Sequence, residues 1–313
     1  MITRILFMGT GDFAVPALEM LMKSEHIVLG VVTQPDRPSG RGRKTQSSPV
    51  KQAATDAGIV IHQPESVGSP DFIELARSMS PDITVVASFG QIIPQAVLDI
   101  PRFGNINVHG SLLPKYRGAA PIHYALFSGD SVTGVTTMLM NAGLDTGTML
   151  LKQEIEIRPD DDTGSLEVRL AAAGAELLAK TIGGLIRGEL TPVPQDNSLA
   201  SYAPSIKRDD CRIAWSDSAT SIANRVRGCS PKLGAFTGWQ GSRLKIRKCE
   251  VFDHRASEGE AGEIAEIMSD GIIVHTGAGR LLVVEVQPEN RNRMSASEFA
   301  RGYKVAAGMT FQS

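Results

Sequence analysis

Asn107 and His109, in Asn105-Ile106-Asn107-Val108-His109-Gly110, are polar residues separated by one apolar residue. In an extended strand they fall on one face, because side chains alternate with period two. An amide donor beside an imidazole is the pairing that a tetrahedral oxyanion requires. Asp145 lies in the Gly-flanked turn Gly143-Leu144-Asp145-Thr146-Gly147, after another apolar run. An acid there can favour a charged imidazole or take a proton from an incoming amine. Each pattern also has an ordinary structural use, as a strand end tied to its loops or as a stable turn. The aspartic-protease use of Asp-Thr-Gly needs a second copy, which the sequence lacks.

Two other patterns compete for a ligand. Gly9-Thr10-Gly11-Asp12-Phe13-Ala14 matches G-x-G-x-x-A after an apolar run, and Asp36 follows at about the distance of a ribose-binding acid. Alone this spells a dinucleotide site; it equally spells a tight strand-to-helix turn with no dinucleotide. Directly after Asp36, residues Arg37 to Lys51 hold five cations (Arg37, Arg41, Arg43, Lys44, Lys51) and no acid, among glycines and prolines. That reads as an exposed loop suited to an anionic partner, or as a solvated basic loop with none.

These residues need a scaffold. Apolar runs at Arg4 to Gly9, His26 to Thr33, Ile83 to Ser88 and Gly104 to His109 predict buried strands. Phe13 to Lys23 and Asp71 to Met79 predict helices between them. The alternation predicts a Rossmann-like, mostly parallel, helix-covered sheet, an α/β fold that puts His109 at the carboxyl end of a strand. Val135 to Met140 reads as one more strand. Asp160 to Asp162 supply the cap for a helix from about Gly164 to Ile186. A first domain is expected over 1–188, a Pro- and Gly-rich linker over 189–205 and a second domain over 206–313. The second opens with a short helix in which Ile222 and Val226 share a face. Runs at Gly234 to Trp239, Arg243 to Val251, Gly271 to His275 and Arg280 to Val286 then suggest a smaller β-barrel of OB-like kind. In Arg243-Leu244-Lys245-Ile246-Arg247 the alternation sends three cations to one face, for a partner or simply to protect an edge.

Composition narrows the classes. A chain of 313 residues with 42% hydrophobic and 21% charged residues can bury a core and favours two domains. The longest uncharged stretch, Ile83 to Leu98, is shorter than the roughly 20 apolar residues of a membrane span. Ile5 to Met8 is too short for a signal-peptide core, so export by that route is not expected. Cys211, Cys229 and Cys249 suit neither a disulfide framework nor a zinc site, which points to a reducing cytoplasm. The net charge of −2 conceals 16 basic against 21 acidic residues over 1–206 and 16 against 13 over 207–313. The second half is therefore the more fitted to hold phosphates.

Asn107 to Ile122, read through His109-Gly110-Ser111-Leu112-Leu113-Pro114-Lys115-Tyr116-Arg117-Gly118, together with Gly143 to Gly147, resembles the signature of the 10-formyltetrahydrofolate-dependent formyltransferases. Thr33 to Arg37 leading into Gly40-Arg41-Gly42, and Ala203 to Trp215, resemble the members that act on methionyl initiator tRNA. The likeness runs over nearly the whole length.

The resemblance implies that Asn107, His109 and Asp145 are catalytic. It implies that Ser111, Leu112, Leu113 and Pro114 contact the folate, and that the loop holding Phe89, Gln91 and Ile92 lines the pterin pocket. Arg41 matches a position that engages the tRNA end, with Arg37, Arg43 and Lys44 beside it. It also implies 10-formyltetrahydrofolate as formyl donor, no metal, a role in translation initiation, and no membrane or obligate protein partner. A related enzyme acting on a small amine such as a nucleotide or nucleotide sugar is the alternative, though it would not need residues 207–313 or the basic loop. A nicotinamide oxidoreductase built on Gly9, Gly11 and Asp36, and a non-catalytic tRNA-binding protein, are the competitors from other classes. Three departures stand out. Gly11 replaces a usual Pro, Asn141 a common Asp, and Ser230 to Gly234 a more aromatic segment.

Overall fold

The structure, a computed structural model, describes residues 2–39, 44–254 and 258–312, with only the backbone of 38, 39 and 44–46. The chain divides into two units: 1–121, 132–156 and 167–204 form the first, and 122–131, 157–166 and 205–313 the second.

In the first unit, strands β1 (Arg4–Gly9) and β2 (Ile27–Val32) flank helix α1 (Val15–Met22). A short hairpin follows, β3 (Arg37–Ser39) with β4 (Lys44–Gln46), then α2 (Pro49–Asp56), β5 (Ile61–His62) and α3 (Pro70–Met79). Next come β6 (Ile83–Ala87), α4 (Gln95–Leu98) and β7 (Asn105–His109). After α5 (Pro121–Phe127) the chain adds β8 (Val132–Leu139), β9 (Thr148–Glu156) and the long α6 (Thr163–Ile186). The sheet order is β5-β2-β1-β6-β7-β8-β9. The first five strands in that order run parallel, while β8 and β9 are antiparallel additions.

The sheet is thus mixed, and the parallel reading holds for five of its seven strands. β6 and β7 are buried along their whole length, as parallel strands covered on both faces must be. Ser48 and Ser69 cap α2 and α3 by accepting from Lys51 N and Phe72 N, each followed by a proline in the first turn. Such caps contribute about 1 kcal/mol each. Asp162 does the same for α6, accepting from Ser165 N at 2.9 Å. The chain order reverses between β1 and β6, which places the topological switch point beside Gly9 and Ala87.

The described ends of the basic segment are not loop. Its described flanks pair as β3 and β4, and Lys51 belongs to α2. Residues 189–205, expected to link two domains, instead run through the first unit as far as Pro204. Val193 pairs with Met149, Arg117 pairs with Tyr202, and Ala203 is fully buried. Turn-rich composition does not distinguish a free linker from a strap whose backbone groups find partners on a sheet edge.

The second unit opens with α7 (Ala219–Cys229), whose Ile222 and Val226 are buried as expected. It continues with β10 (Ala235–Trp239), β11 (Ser242–Asp253), β12 (Ile264–Ile267), β13 (Ile272–His275), β14 (Arg280–Pro288), β15 (Met294–Ser295) and α8 (Ala296–Gly302). The sheet is wholly antiparallel. Its edge strands are joined through the C-terminal segment: Gly238 pairs with Gln312, and Glu263 with Thr310, which closes the sheet into a small barrel. Trp215 stacks on Phe311 at 5.6 Å, and Trp239 meets the same ring edge-on at 5.3 Å, inside this core. Segments 122–131 and 157–166 belong to this unit through their contacts with α7: Thr163 Oγ1 donates to Gly228 O, and Arg225 lies over the Phe127 ring.

One expectation is corrected here. Cys211 and Cys229 form a disulfide, with Cα atoms 6.0 Å apart. They lie 18 residues apart in sequence and meet only because the segment before α7 folds back on its last turn.

Candidate active site

β7 presents Asn105, Asn107 and His109 on one face and Ile106 and Val108 on the other. The Val108 face is closed by α6, where Gly174 lies so near that a Cβ would come within 2.9 Å of Val108 Cγ1. On the polar face Asn105 Nδ2 donates to Leu98 O at 2.6 Å, leaving Asn107 and His109 toward the strand's carboxyl end.

Asp145 reaches them from the turn between β8 and β9. Its Oδ1 is 3.5 Å from Asn107 Nδ2, and its Oδ2 is 3.7 Å from His109 Nδ1 while accepting from Gly118 N at 2.8 Å. The imidazole's other nitrogen, Nε2, is 2.9 Å from Tyr116 O. Both ring nitrogens therefore face oxygen atoms, one at hydrogen-bond distance and one beyond it. The amide and the imidazole each touch the carboxylate only loosely, so both can turn to a developing oxyanion at small cost. Asn141 caps this turn, its Oδ1 accepting from Gly143 N and Thr146 Oγ1. An amide oxygen does here what a carboxylate would do.

Ser111, Leu112, Leu113 and Pro114 follow β7 directly, in a loop held from below. Thr136 Oγ1 donates to Ser111 O and accepts from Leu113 N, Ser111 Oγ donates to Lys115 O, and Lys152 Nζ donates to Leu113 O. Burial pulls the Lys152 ammonium below the usual lysine value. Ser111 and Leu113 are fully buried, so Leu112 and Pro114 are the members of the four with side chains open to a ligand.

At the switch point an open cleft of about 730 Å³ is lined by Thr10, Gly11, Gln34, Arg37, Phe89 and Ile92 among others. It brings one expected tRNA contact, Arg37, beside the expected pterin loop, and it does not include the Asn107, His109 and Asp145 side chains. Within that loop the three residues differ. Phe89 is buried, the Gln91 amide is committed to Val67 N and Pro64 O, and Ile92 is 90% exposed. Arg41 and Arg43 lie outside the described residues, and Lys44 is described by its backbone in β4 alone.

The glycines of the G-x-G-x-x-A turn are explained by packing. A Cβ on Gly9 would sit 2.7 Å from Phe7, and one on Gly11 2.8 Å from Ser88 Oγ. The amides of Thr10 and Gly11 donate to Ser88 O. Asp36 takes the Lys51 ammonium on one oxygen and Gln63 Nε2 on the other, and these bonds hold its carboxyl below the ordinary value. Among the described residues no three His, Cys, Asp or Glu side chains come together as metal ligands. Sequence reading passed over Tyr116, Gly118, Thr136, Lys152 and Gln195, which act through backbone or across the fold and carry no periodic signal.

The first unit is a mixed, mostly parallel sheet with an amide, an imidazole and a carboxylate brought together beside the end of β7, and the second is an antiparallel sheet with helices α7 and α8. The chain belongs to the formyl transferase family: the formyl transferase model matches residues 3–182, and that of the formyl transferase C-terminal domain matches 205–304. It is 48% identical over 305 residues to the methionyl-tRNA formyltransferase of Citrifermentans bemidjiense, covering 97% of this chain and 95% of the relative. To that of Acetivibrio thermocellus it is 46% identical, covering 97% and 98%. Among solved structures the fold resembles an N-formyltransferase from Helicobacter canadensis in complex with folinic acid and dTDP-3-aminofucose, at TM-score 0.65 and 19% identity over 91% of this chain and 99% of that one. It also resembles HypX from Aquifex aeolicus in complex with tetrahydrofolic acid, at TM-score 0.64 and 16% identity. There the match covers 98% of this chain but only 48% of HypX, so this chain spans about half of that protein.

Proposed function

We propose that this enzyme transfers the formyl group of 10-formyltetrahydrofolate to the α-amine of methionine on initiator tRNA, in the cytoplasm, for the start of translation. The observation that carries the reading is near-full-length identity of 48% and 46% to methionyl-tRNA formyltransferases, through both units. The neutral amine attacks the formyl carbon and forms the new C–N bond. The carbonyl electrons become a tetrahedral oxyanion, and collapse breaks the bond to the folate nitrogen, which leaves as N–H with the proton that the amine gives up by way of Asp145. Asn107 Nδ2 and the His109 ring stabilise the oxyanion; one such donor is typically worth about 3–4 kcal/mol. Asp145 holds the His109 edge and accepts the proton that the amine loses. The folate lies along Leu112, Pro114 and Ile92, against backbone fixed by Thr136 and Lys152.

The first unit then does the chemistry, and the second, with the basic hairpin, holds the tRNA. Leu244 and Ile246 of β11 point into the barrel core while Lys245 and Arg247 stand outward. Burial and the nearby Arg247, Arg208 and Arg293 together lower the Lys245 ammonium. Cations held this close to one another gain from phosphate neutralisation, so tRNA affinity should fall steeply with salt. Arg41 offers a planar fork that lysine lacks. Arg41→Lys should weaken tRNA use and Arg41→Ala weaken it more, with folate binding unchanged.

The test is a formyl-transfer assay with methionyl initiator tRNA, free methionine and a nucleotide-linked amino sugar side by side. Transfer to the charged tRNA alone supports the reading. Preference for the amino sugar would move this chain to the small-amine branch.

A further inference from the structure

We infer that Gln195 is a positioning residue for Asp145 and that the buried Arg117 sets its orientation, an inference that rests on the catalytic reading of Asp145. Arg117 is 2% exposed, and a guanidinium withdrawn from water needs strong acceptors. Its partners are amide oxygens. Nε and Nη2 donate to Gln195 Oε1 at 3.0 and 2.9 Å, and Nη2 also donates to Asn197 Oδ1 at 2.8 Å. This decides which end of the Gln195 amide faces the arginine. Nε2 is thereby turned the other way, and it donates to the carbonyl oxygens of Asp145 and Gly147 at 2.7 and 2.8 Å. An amide has two N–H donors, and both are committed to the turn that carries the carboxylate.

That turn needs holding. Asp145 has φ +50, in the left-handed region that a side chain disfavours. Gly147 sits so tightly that a Cβ would lie 1.8 Å from Leu139 O. The strap bearing Gln195 is itself in register at both ends. Val193 and Met149 exchange backbone hydrogen bonds at 2.8 Å, Arg117 N donates to Ser201 O, and Ala203 N donates to Arg117 O. Arg117 also lies between the two residues that orient the catalytic pair, since Tyr116 O faces His109 Nε2 and Gly118 N donates to Asp145 Oδ2. Residues 193–203 therefore fasten the turn that presents Asp145 to the loop that orients His109. Gln195 touches neither carboxylate nor imidazole, so its contribution is geometric, and reacting groups displaced by about 1 Å lose on the order of 10²-fold in rate.

Two variants of the full-length protein test this. Gln195→Leu removes both halves of the clamp. Gln195→Glu keeps an acceptor for Arg117 but sets an unprotonated oxygen against two carbonyl oxygens. In each, kcat should fall by about ten-fold or more while KM for 10-formyltetrahydrofolate and charged tRNA stays within about three-fold. Gln195→Glu should remain fully folded by circular dichroism at the assay temperature, and its kcat relative to wild type should recover as the pH is lowered, because a protonated acid regains one donor. Wild-type kcat in either variant, or a loss that merely follows the folded fraction, overturns the inference. The His109 ring ¹⁵N signals provide a readout that needs no acceptor, and they should move in both variants; unmoved signals also overturn it. A wild-type protein that does not formylate charged tRNA, with His109 signals that still move in the variants, would refute the acceptor and support the clamp.

Discussion

Asp36 and Asp145 both lie in turns that follow strands of one sheet, and their surroundings set them to different work. Asp36 has each oxygen bonded to a fixed donor, the Lys51 ammonium and the Gln63 amide, and its carboxyl is held below the ordinary value by those bonds. Asp145 has one short bond, from Gly118 N, while Asn107 and His109 stay at 3.5 and 3.7 Å. An acid saturated by fixed donors anchors its loop; an acid with slack contacts to an amide and an imidazole keeps capacity for a substrate and a proton. Spacing after a strand does not reveal which of these a carboxylate is, and a count of its donors does.

The hardest test of this contrast is removal of the slack site. Asp145→Asn, His109→Ala and Asn107→Ala should each lower kcat by about 10²-fold or more in single-turnover transfer, with the fold intact by circular dichroism. Near-normal turnover of Asp145→Asn would put the two aspartates in one class.

Next in size is the turn itself. Gly147→Ala drives a Cβ onto Leu139 O, and urea titration should show about 1–3 kcal/mol of lost stability, with a disproportionate loss of kcat.

Asp36→Asn should leave transfer within about three-fold of wild type and act instead on acid stability. A carboxyl whose folded pKa is depressed adds stability that is present above its unfolded value, about 3.9, and is lost as the pH falls through the lower folded value. Melting temperatures of wild type and Asp36→Asn should therefore differ at pH 6 and converge as the pH drops below about 4. A kcat loss as large as that of Asp145→Asn would collapse the distinction. Smallest of all is Asn141→Asp, in which a carboxylate accepts the same two bonds from Gly143 and Thr146; kcat should stay within about two-fold.

Much of this was legible from residue order. The largely apolar runs of β1 and β6 and the apolar Ile106 and Val108 of β7 announced buried parallel strands, and the placing of Asn107 and His109 on one face follows from the strand period alone. Ile222 and Val226 on one face of α7, and Leu244 and Ile246 on one face of β11, were equally plain. β9 was not legible, because its second half alternates with charged residues and follows a turn rich in glycine. Nor was the strap at 193–203, which has no periodicity because backbone pairing at a sheet edge asks nothing of side-chain order.

By itself the sequence determined what local rules can carry: which segments with a clear period are strands and helices, that Asp160 to Asp162 cap a helix, which side chains share a face, and that a long stretch resembles one family. Tertiary structure alone decided the partners. Asn107 meets Asp145 across 38 residues and Arg117 meets Gln195 across 78. Asp36 meets Lys51, and Cys211 meets Cys229. The period of a helix or strand is set within a few bonds of the backbone. Contacts at these separations depend instead on how loops close over a packed core, where steric fit and the need to satisfy each buried polar group choose one pairing among many.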